Sequence, residues 1–378
     1  MRFLSIEAAG GILLLVAPVV ALVWANSPWS GGYHDLWHTE FHLGVGDFRL
    51  EHHGHALTLA EVVNDALMAV FFFVVGLEIK RELVDGHLRN RRAALLPAAG
   101  ALGGMVVPAA VYLVFNQSGD ASTGWGIPMA TDIAFAVGVL SLLGNRISTP
   151  LKVFLLSLAI VDDIGAIIVI AVFYTSDLAT GWLALAAATT VAVVVLTRLK
   201  IWYMPMYVLL GLVLWYAMFR SGVHATIAGV IMGLLTPAGA LLAPGEVGPI
   251  DVVSLDAEGL RAAKFRMNES VSVEARLERN LHPITGFVVI PLFALANAGI
   301  EISGDSLRTA LGSGVTMGVV FGLVVGKVVG VSLFTIGAVR LGISALSHIH
   351  ISEPTSQGMN SYAVICLKKK MGGGGGGG

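Results

Sequence analysis

Two neighbouring carboxylates sit midway along an otherwise apolar run, Leu158-Ala159-Ile160-Val161-Asp162-Asp163-Ile164-Gly165-Ala166-Ile167. A carboxylate in a bilayer interior costs at least about 2.5–3.5 kcal/mol on insertion scales, so it needs a partner, a water-filled cavity or a task. Adjacent helix positions point about 100° apart. One carboxylate can therefore face a cavity while the other reaches a neighbouring helix. A hard monovalent cation prefers oxygen ligands, and a carboxylate holds either that cation or a proton. Competition between the two at Asp162 and Asp163 is already an exchange mechanism, with the metal ion as cargo. The alternative is a pair that is hydrogen-bonded in helix packing and inert. A doublet at the centre of an apolar run weighs against it.

Two further charges stand in apolar surroundings. Lys327 lies in Gly322-Leu323-Val324-Val325-Gly326-Lys327-Val328-Val329-Gly330, too central to snorkel to the interface. Its expected partner is one of the two aspartates, Asp163 in the first instance. The ion pair would break when the site changes occupancy, or would be purely structural. Asp132 lies in Gly126-Ile127-Pro128-Met129-Ala130-Thr131-Asp132. Proline and glycine weaken a helix there, and Thr131 can satisfy freed backbone groups. A span broken at mid-membrane presents half-helix ends to an ion. Asp132 would either bind the ion or neutralise a half-helix end.

A polar cluster borders the apolar runs. Asp65 enters the second run, Glu78, Lys80, Arg81 and Glu82 leave it, and Glu278 and His282 stand just before the ninth. The sharp reading is an ion-collecting funnel and pH sensor. The bland reading is a solvated helix end. His224, in Ser221-Gly222-Val223-His224, starts a helix and is more often a satisfied polar residue than a switch.

The elements that must carry these groups are membrane helices. Hydrophobic residues make up 56% of the chain and charged ones 13%, against about a quarter charged in soluble domains. Ten apolar stretches are long enough to cross about 30 Å of hydrocarbon. They fall near 8–26, 59–79, 94–115, 124–144, 150–174, 181–198, 204–219, 221–238, 283–302 and 313–339. With the N-terminus inside, Lys80, Arg81, Arg91, Arg92, Arg198, Lys200, Arg276, Arg279 and other basic residues are cytoplasmic. Only Arg49, Arg220 and Arg308 are outside. Residues 41–50 read as a small surface hairpin turning at Gly44-Val45-Gly46, and 239–282 as a loop with some helix. The net charge of -2 gives no field for nucleic acid, and the single Cys366 gives neither a disulfide framework nor a thiol metal site. Residues 348–378 change composition abruptly and end in seven glycines. They read either as a flexible basic tail with a glycine linker or, by resemblance, as the translation of a sequencing-library adapter and a poly-G read end; on the second reading 1–347 is the transmembrane domain and the tail is set aside.

Seven segments in order resemble the NhaA-type sodium/proton antiporter family. They are Asn64–Phe72, Val75–Leu83, Ala130–Ala136, Asp162–Ala166, Gly222–Thr226, Pro291–Gly299 and Gly326-Lys327. The resemblance covers about residues 6–343. It implies an all-α polytopic membrane protein of twelve spans with inverted repeats and crossing broken helices, of which about ten are present here. It implies a secondary active transporter rather than an enzyme, with no cofactor. That transporter would sit in the bacterial inner membrane as a homodimer among lipid and exchange sodium or lithium for protons. Exchange would be electrogenic, pH-regulated and by alternating access. By this resemblance Asp163 is the principal ion and proton carboxylate with Asp162 beside it, Lys327 pairs with the doublet, and Asp132 sits among the broken-helix dipoles. Glu78, Glu82, Glu278 and His282 fall on the pH-sensing region. Two departures stand out. The last two spans are missing, leaving the broken fourth helix without its partner, and Arg279 follows Glu278 where the best-known members carry histidine.

Two rivals fit less well. A channel favours rings of charges or carbonyls in a symmetric oligomer, whereas here one asymmetric Asp-Asp-Lys set lies in a single chain. An intramembrane aspartyl protease needs two carboxylates sharing a proton face to face, which neighbours on one helix cannot do.

Overall fold

A backbone in hydrocarbon must satisfy its own hydrogen bonds, and helices do this within one segment. The computed structural model describes residues 2–41, 44–45, 48–49, 51–52, 55–129, 149–175, 178–199, 201, 203–237 and 272–342. Among these, seven helices are long and apolar enough to cross a membrane, and a bent pair at the N-terminus brings the number to eight. The chain is a polytopic all-helical membrane protein.

In order, the helices begin with α1 (Arg2–Ala25), followed after a 113° bend by α2 (Ser30–Trp37). Then come α3 (Leu59–Val84), α4 (Arg91–Phe115), α5 (Thr149–Phe173), α6 (Thr180–Arg198) and α7 (Met204–Ser221). The short α8 (Thr226–Leu235) precedes α9 (Val273–Asn297), α10 (Gly304–Gly312) and α11 (Gly314–Arg340). Between α4 and α5 the described chain is a 3₁₀ segment, Asp120–Met129.

Four expectations are corrected. The stretch 221–238 is not a full span. Its helix has 10 residues, about 15 Å at 1.5 Å per residue. Gly222, at φ 84, ends α7 in the left-handed region, and Thr236 takes an extended conformation at the far end. The ninth helix starts at Val273 and ends at Asn297, so Glu278 and His282 lie inside it. Most of 124–144 lies outside the described residues, and its described beginning is 3₁₀ rather than α. The surface hairpin reverses between Val45 and Phe48, because Gly44 pairs with Arg49 and Val45 with Phe48. A separate three-stranded sheet joins Glu40–Phe41, His55–Thr58 and Glu51–His52, with His55–Thr58 in the middle.

The helices pack as two groups. In the first, α11 and α5 pack on α4. Helices in lipid gain little from apolar burial against each other, so close packing of small residues must hold them. The sequence supplies this as glycines four apart on α11: Gly314, Gly318, Gly322, Gly326 and Gly330. A Cβ at Gly326 would lie 2.9 Å from the Pro108 Cα, and one at Gly318 would lie 2.8 Å from the Asn116 Nδ2. Gly330 and Gly103 approach each other's carbonyl oxygens so closely that neither leaves room for a methyl group. A four-residue repeat drifts about 40° per step around a 3.6-residue helix. The π turn at Gly322–Gly326 takes up an extra residue and offsets that drift.

In the second group, Gly229 and Gly233 of α8 press on Ala69, Phe73 and Gly76 of α3. Ala186, Leu214, Ala217 and Ala228 tie α6 and α7 onto α8, and α1 lies along α9. The groups meet where Ile160, Val161, Ile164 and Ile167 of α5 cover Val75, Ile79 and Leu234.

The crowding predicts that Gly330→Ala destabilises the protein by about 1–3 kcal/mol, the usual cost of overpacking. Gly337→Ala, with nothing within 4 Å of the added carbon, should stay within about 0.5 kcal/mol. Thermal unfolding in detergent compares the two.

Candidate functional site

Lys327 is the first residue after the π turn of α11. Its stem crosses Gly104 of α4, where a Cβ would lie 3.7 Å from Cε. The ammonium therefore passes between α4 and α11 to α5. There Nζ lies 2.7 Å from Asp162 Oδ2, and it also donates to the Met129 carbonyl at the end of the 3₁₀ segment. Asp162 has 0% of its surface exposed, and the lysine side chain 15%. This corrects the expectation that Lys327 pairs with Asp163.

Helix geometry explains the difference. Leu158 and Gly165 face α4, against Gly100 and Met105. Asp162 lies about 40° from Leu158 and about 60° from Gly165 at about 100° per residue, on the same side of the helix, so it points into the α4–α11 group. Asp163 falls beside the direction of Ile160 and Ile167, which pack towards α3 and α8. It is half-buried and lies towards the seam between the two groups. The doublet is thus divided: one carboxylate is held by a lysine within one group, and the other stands where the groups meet.

Thr131 and Asp132 lie outside the described residues. The remaining candidates separate into two ends of the molecule. Asp65 lies 13 positions before Glu78 on α3, about 20 Å along the helix. It sits in the π turn Val62–Leu67, where Trp215 Nε1 donates to its carbonyl at 3.0 Å. His224 is exposed, next to Ala225, which packs with Leu57 and Phe219 at that same end. Neither residue joins Glu78 and Glu82.

At the opposite end, Arg81 of α3 donates to Glu278 Oε1 of α9. Glu82 lies one residue after Arg81, Glu78 lies one turn before Glu82, and His282 lies one turn beyond Glu278. Sequence reasoning missed Glu274, one turn before Glu278 and 1% exposed. Its signal was the four-residue spacing from Glu278. Helix α9, with 25 residues, is about 37 Å long and exceeds the hydrocarbon thickness. Its polar first turn, which carries Glu274, therefore projects beyond the apolar stretch. Among the described residues, Glu274 Oε1 and Glu278 Oε2 are buried without a hydrogen-bond partner. Burial and then repulsion from Glu278 push the Glu274 carboxyl up to about 7; Arg81 pulls against them, Asp85 adds to them and Lys80 opposes.

Among the described residues, no group of three or more His, Cys, Asp or Glu could hold a resident metal.

Comparison with known proteins gives one consistent result. The model of the family "Na+/H+ antiporter 1" matches residues 1–361. The Na(+)/H(+) antiporter NhaA 3 of Frankia alni is 49% identical over 351 residues, covering 91% of this chain and 74% of that protein. The Na(+)/H(+) antiporter NhaA of Rhodopirellula baltica is 47% identical over 358 residues, covering 91% and 79%. The Na(+)/H(+) antiporter NhaA of Shewanella pealeana is 45% identical over 346 residues, covering 91% and 80%.

The Glu274 shift has a definite sign. Below about pH 4.5 the carboxyl is protonated in folded and unfolded chains alike. As pH rises from 4.5 to 7 the unfolded chain loses this proton first, so folded stability falls across that window. Glu274→Gln removes this loss. The variant's unfolding temperature should match the parent's near pH 4.5 and exceed it above pH 7. A constant difference at all pH values would contradict the assignment.

Proposed function

Because this chain belongs to the Na+/H+ antiporter 1 family, we propose that its exchange of sodium ions for protons runs on Asp162 and Asp163 by alternating access. It is a multi-pass membrane transporter and not an enzyme. The observation that carries the site is the ion pair of Lys327 with fully buried Asp162, one residue from a carboxylate at the seam of two helix groups.

The chemistry balances as follows. In the proton-loaded state Lys327 is an ammonium on Asp162 and Asp163 is protonated, so the site is neutral. A sodium ion entering between the carboxylates displaces the ammonium, which gives up one proton to become a neutral amine, and takes the place of the Asp163 proton. Two protons leave, and the loaded site carries one negative charge. Exchange of two protons for one sodium is electrogenic. Lithium, a monovalent cation that also prefers oxygen ligands, travels by the same route. Thr131 and Asp132, close in sequence to Met129, complete the cation's surroundings or neutralise a helix end there.

Sidedness rests on charge. Lys80 and Arg81 of α3 and Arg276 and Arg279 of α9 gather at the Glu78–Glu278 end, which supports a cytoplasmic location for that end in a bacterial inner membrane. The N-terminus lies on the same side. Glu78, Glu82, Glu278 and His282, with Glu274, form the pH-sensing region at that mouth. A carboxyl titrating near pH 7 on helix α9, which also carries Pro291 and Asn297, suits that role. Asp65 and His224 act at the opposite end. The transporter works as a homodimer in lipid.

In proteoliposomes holding the protein and an imposed pH gradient, added sodium or lithium should dissipate the gradient. Asp163→Asn should reduce the response to that of protein-free vesicles. Full exchange in that variant would defeat the assignment. Sodium current without proton counterflow would mean a channel.

A further inference from the structure

The Met129 carbonyl that holds Lys327 is itself held in place. Its 3₁₀ segment, Asp120–Met129, lies between α4 and the end of α5, and a tyrosine grips it from each side. The Tyr174 hydroxyl, just past the helix that bears Asp162, accepts from the Gly126 N–H at 2.8 Å and donates to the Thr123 carbonyl at 2.7 Å. The Tyr112 hydroxyl of α4, on a side chain 1% exposed, donates to the Ala121 carbonyl at 2.7 Å. The sequence leaves room for both. A Cβ at Gly126 would lie 2.7 Å from the Tyr174 hydroxyl oxygen, and one at Gly124 would lie 2.5 Å from that of Tyr112. Trp125 packs edge-on against Phe173, with ring centroids 5.1 Å apart. Pro128 fills the groove over Gly322, one turn before Lys327. Backbone in a 3₁₀ conformation is weakly held by its own hydrogen bonds, so these outside contacts fix where its last carbonyl points.

We propose that Tyr174 and Tyr112 are positioning residues for exchange, setting the Met129 carbonyl as the second acceptor that keeps the Lys327 ammonium on Asp162 until sodium displaces it. The inference rests on the Asp162–Asp163 reading of the site. A charge-assisted hydrogen bond to a carbonyl stabilises the ion-free state in particular, since the ammonium occupies that position only while the cation is absent. Loosening the carbonyl therefore makes the lysine easier to displace, and sodium should bind more tightly. A contact that merely supports the fold would lower the amount of working protein and leave the sodium affinity of the remainder unchanged.

The test is Tyr174→Phe, which removes only the hydroxyl. Initial exchange rates against sodium concentration should show KM for sodium falling roughly 3- to 10-fold, without a matching rise in kcat. Gly126→Ala, which pushes on the same hydroxyl from the other side, should move KM in the same direction and serves if the first variant folds poorly. As a check independent of transport, the sodium concentration that raises the unfolding temperature should fall by the same factor. An unchanged KM in folded Tyr174→Phe would overturn the proposal. So would a raised KM, which would mean that the carbonyl serves the cation rather than the lysine. Loss of exchange in Asp163→Asn together with either result refutes the clamp alone. Full exchange in Asp163→Asn removes the site on which the clamp would act.

Discussion

An aspartate with no exposed surface remains ionised inside a membrane protein only beside a cation, and Lys327 supplies that cation for Asp162. Taking either charge out of water is costly, and their attraction offsets the cost only at short range and in good geometry. Removing one partner would strand the other, at about 3–5 kcal/mol. The pair is therefore a strict demand on the fold: α5 and α11 must be held close and in fixed rotation, with their charges facing each other across α4.

The glycine ladder of α11 meets that demand. Five glycines four apart let its backbone lie against Gly103, Pro108 and Tyr112 of α4. Bulkier residues would widen the gap and move Nζ out of reach of Asp162. The π turn keeps the ladder facing α4 and ends immediately before Lys327. It thus sets the direction of the lysine as well as the packing. The second helix group uses the same device, with Gly229 against Ala69 and Gly233 against Gly76. What joins the groups is different: branched apolar side chains around Ile160 and Ile164 with few backbone contacts. The alternating access we propose would use this difference, with one closely interlocked group rocking against the other along the apolar seam. Asp163 belongs to the helix that forms the seam.

Much of this was legible in the sequence. Long apolar runs announced the spans, because nothing else needs about 20 apolar residues in a row. Asp162, Asp163 and Lys327 stood out as charges where charge is expensive. Which aspartate takes the lysine was not legible, because it depends on which face of α5 meets α4. Composition misread α8, which is apolar throughout but is cut short by the turn at Gly222 and the extended Thr236. Asp65 was grouped with Glu78 in one polar cluster, although about 20 Å of helix separates the two. Glu274 was hidden by the assumption that the ninth helix began ten residues later. The Met129 carbonyl left no trace, since a backbone acceptor has no residue type. Only the glycines facing the two tyrosines hinted at the contacts that place it.

The central claim is that one buried site holds either a sodium ion or protons. Calorimetric titration of the purified protein with sodium, in buffers of differing ionisation heat, tests it most directly. Measured at a pH where the site begins proton-loaded, the binding heat should vary with the buffer, and its slope should correspond to about two protons released per sodium bound. A binding heat independent of the buffer would contradict the account.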